Sequence, residues 1–144
     1  MEKTFAYIDG ACSDNPGVGG WGAILIKGTN AIFISGSSKS TTNNKMELTS
    51  AIQLIKSLDK ETNITIYTDS QYLKNGITTW IHNWKKNNWK TSNKKPVKNI
   101  DMWKTIIKIS EKHKITWKWI KAHAGNIGNE IADSLATKAK KAQN

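Results

Sequence analysis

Four carboxylates are spaced so that a fold could gather them: Asp9, Glu47, Asp69 and Asp133, out of only 11 acidic residues in the chain. Asp9 and Asp69 each end a short apolar, alternating segment. If those segments are parallel neighbouring strands, both carboxylates emerge at one edge of the sheet, where sites form in such folds. Glu47 falls in the first turns of a helix, beside Leu48 and near the border of its apolar stripe. Asp133 lies in the last helical segment, with Ile131 and Leu135 two positions away on either side. Each residue also has an ordinary structural use. An Asp at a strand end often caps the following helix, and a Glu in a first turn favours the helix dipole. Together, four like charges at one edge of a basic protein repel each other and call for a cation. Hard divalent ions such as Mg²⁺ take oxygen ligands, often few from protein and the rest from water and substrate phosphate. Two such ions ~3.5–4 Å apart activate water and stabilise the leaving oxygen of a phosphodiester.

The charge balance points the same way. Net charge is +11, with a pI near 9.8, and all 22 basic residues are lysine. An excess of this size suggests a polyanionic partner. Lysine grips phosphate as a point charge, without the planar fork of arginine, so contacts should be numerous and loosely oriented. The excess is also concentrated: no Asp or Glu occurs between Asp69 and Asp101. That stretch carries Lys74, Lys85, Lys86, Lys90, Lys94, Lys95 and Lys98, interleaved with Trp80, Trp84 and Trp89. Lysines neutralise phosphates and aromatic rings stack on sugars or bases. The competing use of the tryptophans is a small core. Trp80 and Trp84 lie four apart on one helical face, so at least one is expected to pack inward.

The 144 residues suit one domain, expected over 1–144, large enough for a full core without disulfide or structural metal. Cys12 is the only cysteine, so no intrachain disulfide is possible, and no chemistry is assigned to it. Mean hydropathy is −0.55. No apolar run reaches the ~20 residues of a membrane helix, and the N-terminus lacks a signal-peptide layout. The expectation is a cytoplasmic protein.

The elements that must position the carboxylates follow from periodicity. Strands are expected over 4–9, 21–27 and 31–36, the last two as an antiparallel hairpin, with a turn-rich loop over Gly10–Gly20. A helix capped by Thr42 or Asn43 carries Leu48, Ala51, Ile52, Ile55 and Leu58 inward. A fourth strand spans 64–69. One or two short helices run from Ser70 to about Lys86, broken at Asn75-Gly76. A helix over 100–112 faces Ile100, Trp103, Ile106 and Ile107 inward, a fifth strand spans 115–121, and a last helix spans about 128–141 with Ile131, Leu135 and Ala139 on one face. The order βββαβααβα is an α/β fold: a five-stranded mixed sheet with helices on both faces. Trp103, Trp117 and Trp119 follow core periodicities.

Local sequence carries more than the carboxylates alone. Tyr7-Ile8-Asp9-Gly10, Asn15-Pro16-Gly17, Gly19-Gly20-Trp21-Gly22-Ala23, Thr41-Thr42-Asn43-Asn44-Lys45-Met46-Glu47-Leu48, Tyr67-Thr68-Asp69-Ser70-Gln71-Tyr72, and His123-Ala124-Gly125 with Asn129-Glu130 and Asp133 occur in this order. Together they resemble type 1 ribonuclease H, the bacterial ribonuclease HI family, over essentially the whole chain. The segment from Trp80 to Val97, within about 76–99, looks like that family's basic handle.

The resemblance implies a ribonuclease H-like fold and an endonuclease that hydrolyses the RNA strand of RNA–DNA hybrids, leaving 5′-phosphate and 3′-hydroxyl ends. It implies that Asp9, Glu47, Asp69 and Asp133 carry two Mg²⁺ ions, with Mn²⁺ a substitute, and that His123 assists proton transfer or product release. It places Asn15, Thr42 and Asn43 near a DNA phosphate and makes Asn44 and Gln71 substrate contacts. Trp80, Trp84, Lys85, Lys86, Trp89, Lys90 and Lys95 are expected to hold the hybrid through the handle. Turn and cap duty competes for Asn15 and Asn43, and both jobs can coexist. Where the family often has Arg, this chain has Lys39 or Ser40. His82 and His113 match no site position and read as surface residues. A monomer with no obligate protein partner, and no separate N-terminal hybrid-binding domain, is expected. Two alternatives stay open: another nuclease of the same fold, of the integrase or Holliday-junction kind, and a non-catalytic hybrid-binding module. The Thr-Asn-Asn-x-Met-Glu-Leu block argues against the first, and four intact carboxylates against the second.

Overall fold

A computed structural model describes residues 3–143. Five strands form one sheet: β1 (Thr4–Cys12), β2 (Gly17–Lys27), β3 (Asn30–Thr41), β4 (Asn63–Thr68) and β5 (Lys114–Trp119), in the spatial order β3-β2-β1-β4-β5. The first three pair antiparallel, whereas β4 pairs parallel with both β1 and β5. This is the expected mixed sheet. Its helices are α1 (Asn43–Lys56), α2 (Gln71–Asn75), a π-helical turn (Gly76–Trp80), α3 (Ile81–Lys86), α4 (Ile100–Ser110) and α5 (Ile127–Ala142). Among the described residues, no helix is long and apolar enough to cross a membrane.

Period-two alternation along β1 sorts its side chains between the faces. Ala6 and Ile8 enter the main core with Leu48, Ile52 and Ile55 of α1 and with Trp103 and Ile106 of α4. Tyr7 has the opposite parity and lies against Gly128 of α5. Asp9 shares the parity of Tyr7, so strand geometry aims it toward the α5 side, while Gly10 abuts α1.

The structure departs from expectation at several boundaries. The glycine-rich stretch expected to be loop is partly strand, since β1 continues through Gly10–Cys12 and β2 starts at Gly17. Those glycines serve close packing more than turning: a Cβ on Gly20 would collide with the carbonyl oxygen of Ala136 and lie 2.5 Å from the nitrogen of Lys140 in α5. That close approach also changes the inward face of α5. Asn129, Ala132 and Ala136 are buried, while Ile131, Leu135 and Ala139 flank them, half-buried. The expected break at Asn75-Gly76 is a π turn inside one helical run, with Gly76 seated against the indole of Trp103. β3 is longer than expected and reaches Thr41, directly before the α1 cap.

Candidate active site

β1 and β4 pair in parallel up to Ile8 and Thr68. The next residue on each, Asp9 and Asp69, therefore sits at the same edge. Glu47 joins them because β1 packs at Gly10 directly against Met46 and Glu47 of α1. The Gly10 N–H donates to Asp9 Oδ1 at 2.9 Å and to Glu47 Oε1 at 3.2 Å. A Cβ on Gly10 would lie 2.6 Å from the backbone nitrogen of Glu47 and 2.6 Å from the carbonyl carbon of Met46, so only glycine permits this junction. Side-chain oxygens of Asp9, Glu47 and Asp69 all lie within 4.8 Å of one another.

Two of these carboxylates are deeply buried, Asp9 at 5% and Glu47 at 4% exposure. Burial, then the charge of Asp69, pushes Asp9 from its ordinary 3.8 up to about 8. The side chain of Asp133, half-buried on α5, interacts with Asp9 and raises it further. Burial, then Asp9 and Asp69, holds Glu47 well above the usual carboxylate range. Glu47 Oε2 is buried and, among the described residues, has no hydrogen-bond partner. A buried acceptor left bare is costly. Either a proton or a cation relieves both the bare oxygen and the repulsion, and an all-oxygen donor set fits a hard divalent ion. The acidic group and its setting thus suit divalent metal use.

The structure brings three of the four expected carboxylates into one tight group, with Asp133 adjoining through Asp9. Two further contacts to Asp69 are absent from the sequence reading. Asn129 Nδ2 donates to Asp69 Oδ2 at 3.1 Å, and the indole N–H of Trp119 donates to the Asp69 carbonyl oxygen at 3.1 Å. Trp119 is 37% exposed and lies outside the core cluster, contrary to its core-like spacing, because its β5 position ends at the open sheet edge. His123 is exposed in the loop between β5 and α5, with φ of 56°, and Gly125 follows at φ of 85°. A non-glycine residue held in the left-handed region is uncommon and clusters at functional segments.

The start of α1 shows how its polar residues are used. Thr42 Oγ1 accepts from the Lys45 N–H at 3.2 Å, and Asn15 Oδ1 accepts from the Asn43 N–H at 3.0 Å. Thr42 is therefore the cap, and Asn15 is a second one supplied by a distant loop. The Thr42 hydroxyl proton and the Asn15 amide N–H groups are not consumed by these bonds. Asn43, Asn44 and Gln71 are exposed at helix starts.

In the expected handle, aromatic rings and lysines separate. Trp84 lies 5.9 Å from Trp80, 6.0 Å from Trp89 and 5.6 Å from Trp103 between ring centroids. Trp84 and Trp89 pack against the main core, and Trp80 meets Tyr72 at 5.7 Å. Lys85, Lys86, Lys90 and Lys95 all point to solvent. His82 is exposed as expected. His113 is not a surface residue: it is half-buried, its Nδ1 accepts from the Thr62 N–H at 3.1 Å, and its Nε2 is buried without a partner among the described residues. It anchors the turn before β5 to the start of β4.

Known proteins share this fold. The RNase H family model matches residues 1–141. The ribonuclease H of Francisella tularensis subsp. novicida is 55% identical over 137 residues, covering 95% of this chain and 90% of the relative. Among solved structures, LC9-RNase H1, described as a type 1 RNase H with the type 2 active-site motif, superposes with a TM-score of 0.89 at 27% identity, covering 100% of this chain and 74% of that one. LC11-RNase H1, solved in complex with RNA/DNA hybrid, shares the fold with a TM-score of 0.76 at 19% identity, covering 97% and 98%. A family match across nearly the whole length, together with a relative identical at more than half of its aligned positions, places this chain in the ribonuclease H family.

Proposed function

We propose that the chain is an endonuclease that hydrolyses the RNA strand of RNA–DNA hybrids, leaving 5′-phosphate and 3′-hydroxyl ends. Family membership makes it a metal-dependent endoribonuclease. The finer reading is that Asp9, Glu47, Asp69 and Asp133 hold two Mg²⁺ ions, with Mn²⁺ a substitute. The observation that carries it is the bare, buried Oε2 of Glu47 inside a group of mutually repelling carboxylates. Metal ions in such a site activate water and stabilise the leaving oxygen of a phosphodiester.

The chain's own residues divide the remaining work. Glu47 and Asp9 are held by the shared Gly10 N–H, so their oxygens are oriented before substrate arrives. His123, on its exposed loop, moves a proton at the departing 3′ oxygen or helps release product. The free Thr42 hydroxyl and the Asn15 amide, with the Asn43 side chain, meet a DNA phosphate. Asn44 and Gln71 face the RNA 2′-hydroxyl, which both donates and accepts hydrogen bonds and so distinguishes RNA from DNA. Lys85, Lys86, Lys90 and Lys95 neutralise backbone phosphates without reading sequence. Because Trp84 and Trp89 pack inward, they hold the lysine-bearing segment in shape, and the half-buried Trp80 offers an edge to the substrate. The working unit is one domain over 1–144 with its handle at about 76–99, acting as a monomer in the cytoplasm.

The test is an end-labelled RNA–DNA hybrid incubated with and without Mg²⁺, beside duplex DNA and single-stranded RNA. Mg²⁺-dependent cuts confined to the RNA of the hybrid support the proposal. Binding without cutting would favour a hybrid-binding module, and cutting of branched or duplex DNA another nuclease of this fold.

A further inference from the structure

Asn129 is a polar side chain at 3% exposure, on the first turn of α5 and outside the four carboxylates. Its side-chain amide is directed at Asp69 Oδ2, 3.1 Å away. Only the NH₂ end can face a carboxylate, since the carbonyl end would set acceptor against acceptor. The backbone around it is pinned on both sides. The Asn129 N–H donates to Asn126 Oδ1 at 3.0 Å, which caps α5, and Gly128 lies flat on the ring of Tyr7, where a Cβ would not fit. Tyr7 in turn stacks on Tyr67 at 4.8 Å with planes 15° apart. The amide thus hangs from a helix start wedged against Tyr7 of β1, whose ring stacks on the strand that leads to Asp69.

We propose that Asn129 is a positioning residue for the metal site, fixing the Asp69 carboxylate just past the end of β4. The inference rests on the reading of Asp9, Glu47 and Asp69 as metal ligands. Four positions further along the same helix stands Asp133, which interacts with Asp9. Residues four apart share one helical face. One face of α5 therefore holds the carboxylate that follows β4 and supplies another beside β1. The chemistry suits an amide. It donates one hydrogen bond to Asp69 and leaves the other oxygen free. It also adds no charge, whereas a lysine there would neutralise the site and compete with a cation. The Trp119 indole on the Asp69 carbonyl fixes the backbone of the same residue, so Asp69 is held at both ends.

The experiment compares wild type with Asn129→Ala, Asn129→Leu and Asn126→Gly. Asn129→Leu keeps a similar shape without the donor and serves if the alanine variant does not fold. Mg²⁺ binding to the free protein is measured by calorimetry, with kcat, KM for hybrid and the Mg²⁺ midpoint of turnover alongside. Partners that orient a metal ligand are typically worth ~10–100-fold in metal affinity or activity. Both Asn129 variants should raise the Mg²⁺ dissociation constant and midpoint by about that factor, lower kcat at fixed Mg²⁺, and leave KM for hybrid nearly unchanged. Asn126→Gly removes the cap but not the clamp, so its Mg²⁺ affinity should stay at the wild-type value. Wild-type Mg²⁺ affinity in a folded Asn129 variant overturns the proposal, as does an equal loss in Asn126→Gly, which would reduce Asn129 to helix stability. A Mg²⁺-independent wild type would instead overturn the underlying metal reading, so the two failures are distinguishable.

Discussion

Replacing Asp9 with Asn should inactivate the protein and at the same time stabilise its metal-free form. Asp9 titrates near 8 in the folded chain because it is buried beside Asp69, against an ordinary 3.8. At pH 7 the native side chain therefore holds a proton that the unfolded chain has released. At ~1.4 kcal/mol per pH unit, that difference penalises the native state by about 4 kcal/mol. Asn removes the titration and keeps an acceptor for the Gly10 N–H. Its own NH₂ group, where it lacks an acceptor, costs about 1–2 kcal/mol. The net gain is on the order of 2–3 kcal/mol, or roughly 5–10 °C in Tm for a chain of this size. The sign in pH follows from the raised value. Between 3.8 and 8 the native state binds more protons than the unfolded state, so wild-type stability should rise as pH falls through that window. Asp9 contributes about 1.5 kcal/mol of that rise between pH 8 and 6.5. His113, held below its ordinary 6.5 by burial and then by Lys112, acts in the opposite direction below that pH, so the comparison belongs above 6.5. The assay is urea denaturation in EDTA at pH 8.0 and 6.5. Added Mg²⁺ should stabilise wild type far more than the variant, by mass action on the folded state. A variant no more stable than wild type in EDTA, or a wild type whose stability is flat across this range, would refute the reasoning.

Other perturbations follow from the same geometry. Gly10→Ala puts a Cβ 2.6 Å from backbone atoms of Met46 and Glu47, so the strand or the helix start must move. Overpacking of this kind costs about 1–3 kcal/mol, and misplacement by an ångström can cost ~10²-fold in kcat, both read from a urea melt and steady-state kinetics. His123→Ala should lower kcat by at most ~10²-fold with KM little changed, and a pH–rate profile identical to wild type would return His123 to an ordinary loop position. Changing Lys85, Lys86, Lys90 and Lys95 to Ala should raise KM at nearly constant saturated kcat. It should also flatten the log–log salt slope by roughly 1 per lost phosphate contact. A control with Lys138, Lys140 and Lys141 changed to Ala should do less, and an equal effect would mean that net charge alone matters.

The carboxylate edge was legible because it depends on features with a strong local signal. Asp9 and Asp69 each close an apolar alternating run, and Glu47 follows a capping threonine at helical spacing. Parallel pairing of β1 with β4 then does the rest. What sequence could not reveal depends on contacts between distant segments. Gly10 and Gly20 read as turn residues because glycine's commonest signal is a turn, yet they admit the close approach of α1 and α5. Gly76 reads as a break, yet it makes room for Trp103 within a continuous run. Trp119 has the spacing of a core residue, but its neighbours at the sheet edge are the Asp69 carbonyl and Lys74, whose ammonium lies 5.8 Å from the ring centroid. His113 carries no local sign that Thr62 will approach it from 51 residues away. Asn129 had one available signal, its place four residues before Asp133, but that spacing becomes informative only once the start of α5 is known to lie beside Asp69.

The central claim is that the carboxylates carry out the metal-dependent chemistry while other groups bind the hybrid. It is tested most directly by measuring turnover and hybrid affinity separately for Asp9→Asn, Glu47→Gln and Asp69→Asn. In Mg²⁺, each variant should bind an RNA–DNA hybrid with affinity close to wild type and cleave it at least several orders of magnitude more slowly. Near-normal turnover in any of the three would contradict the account.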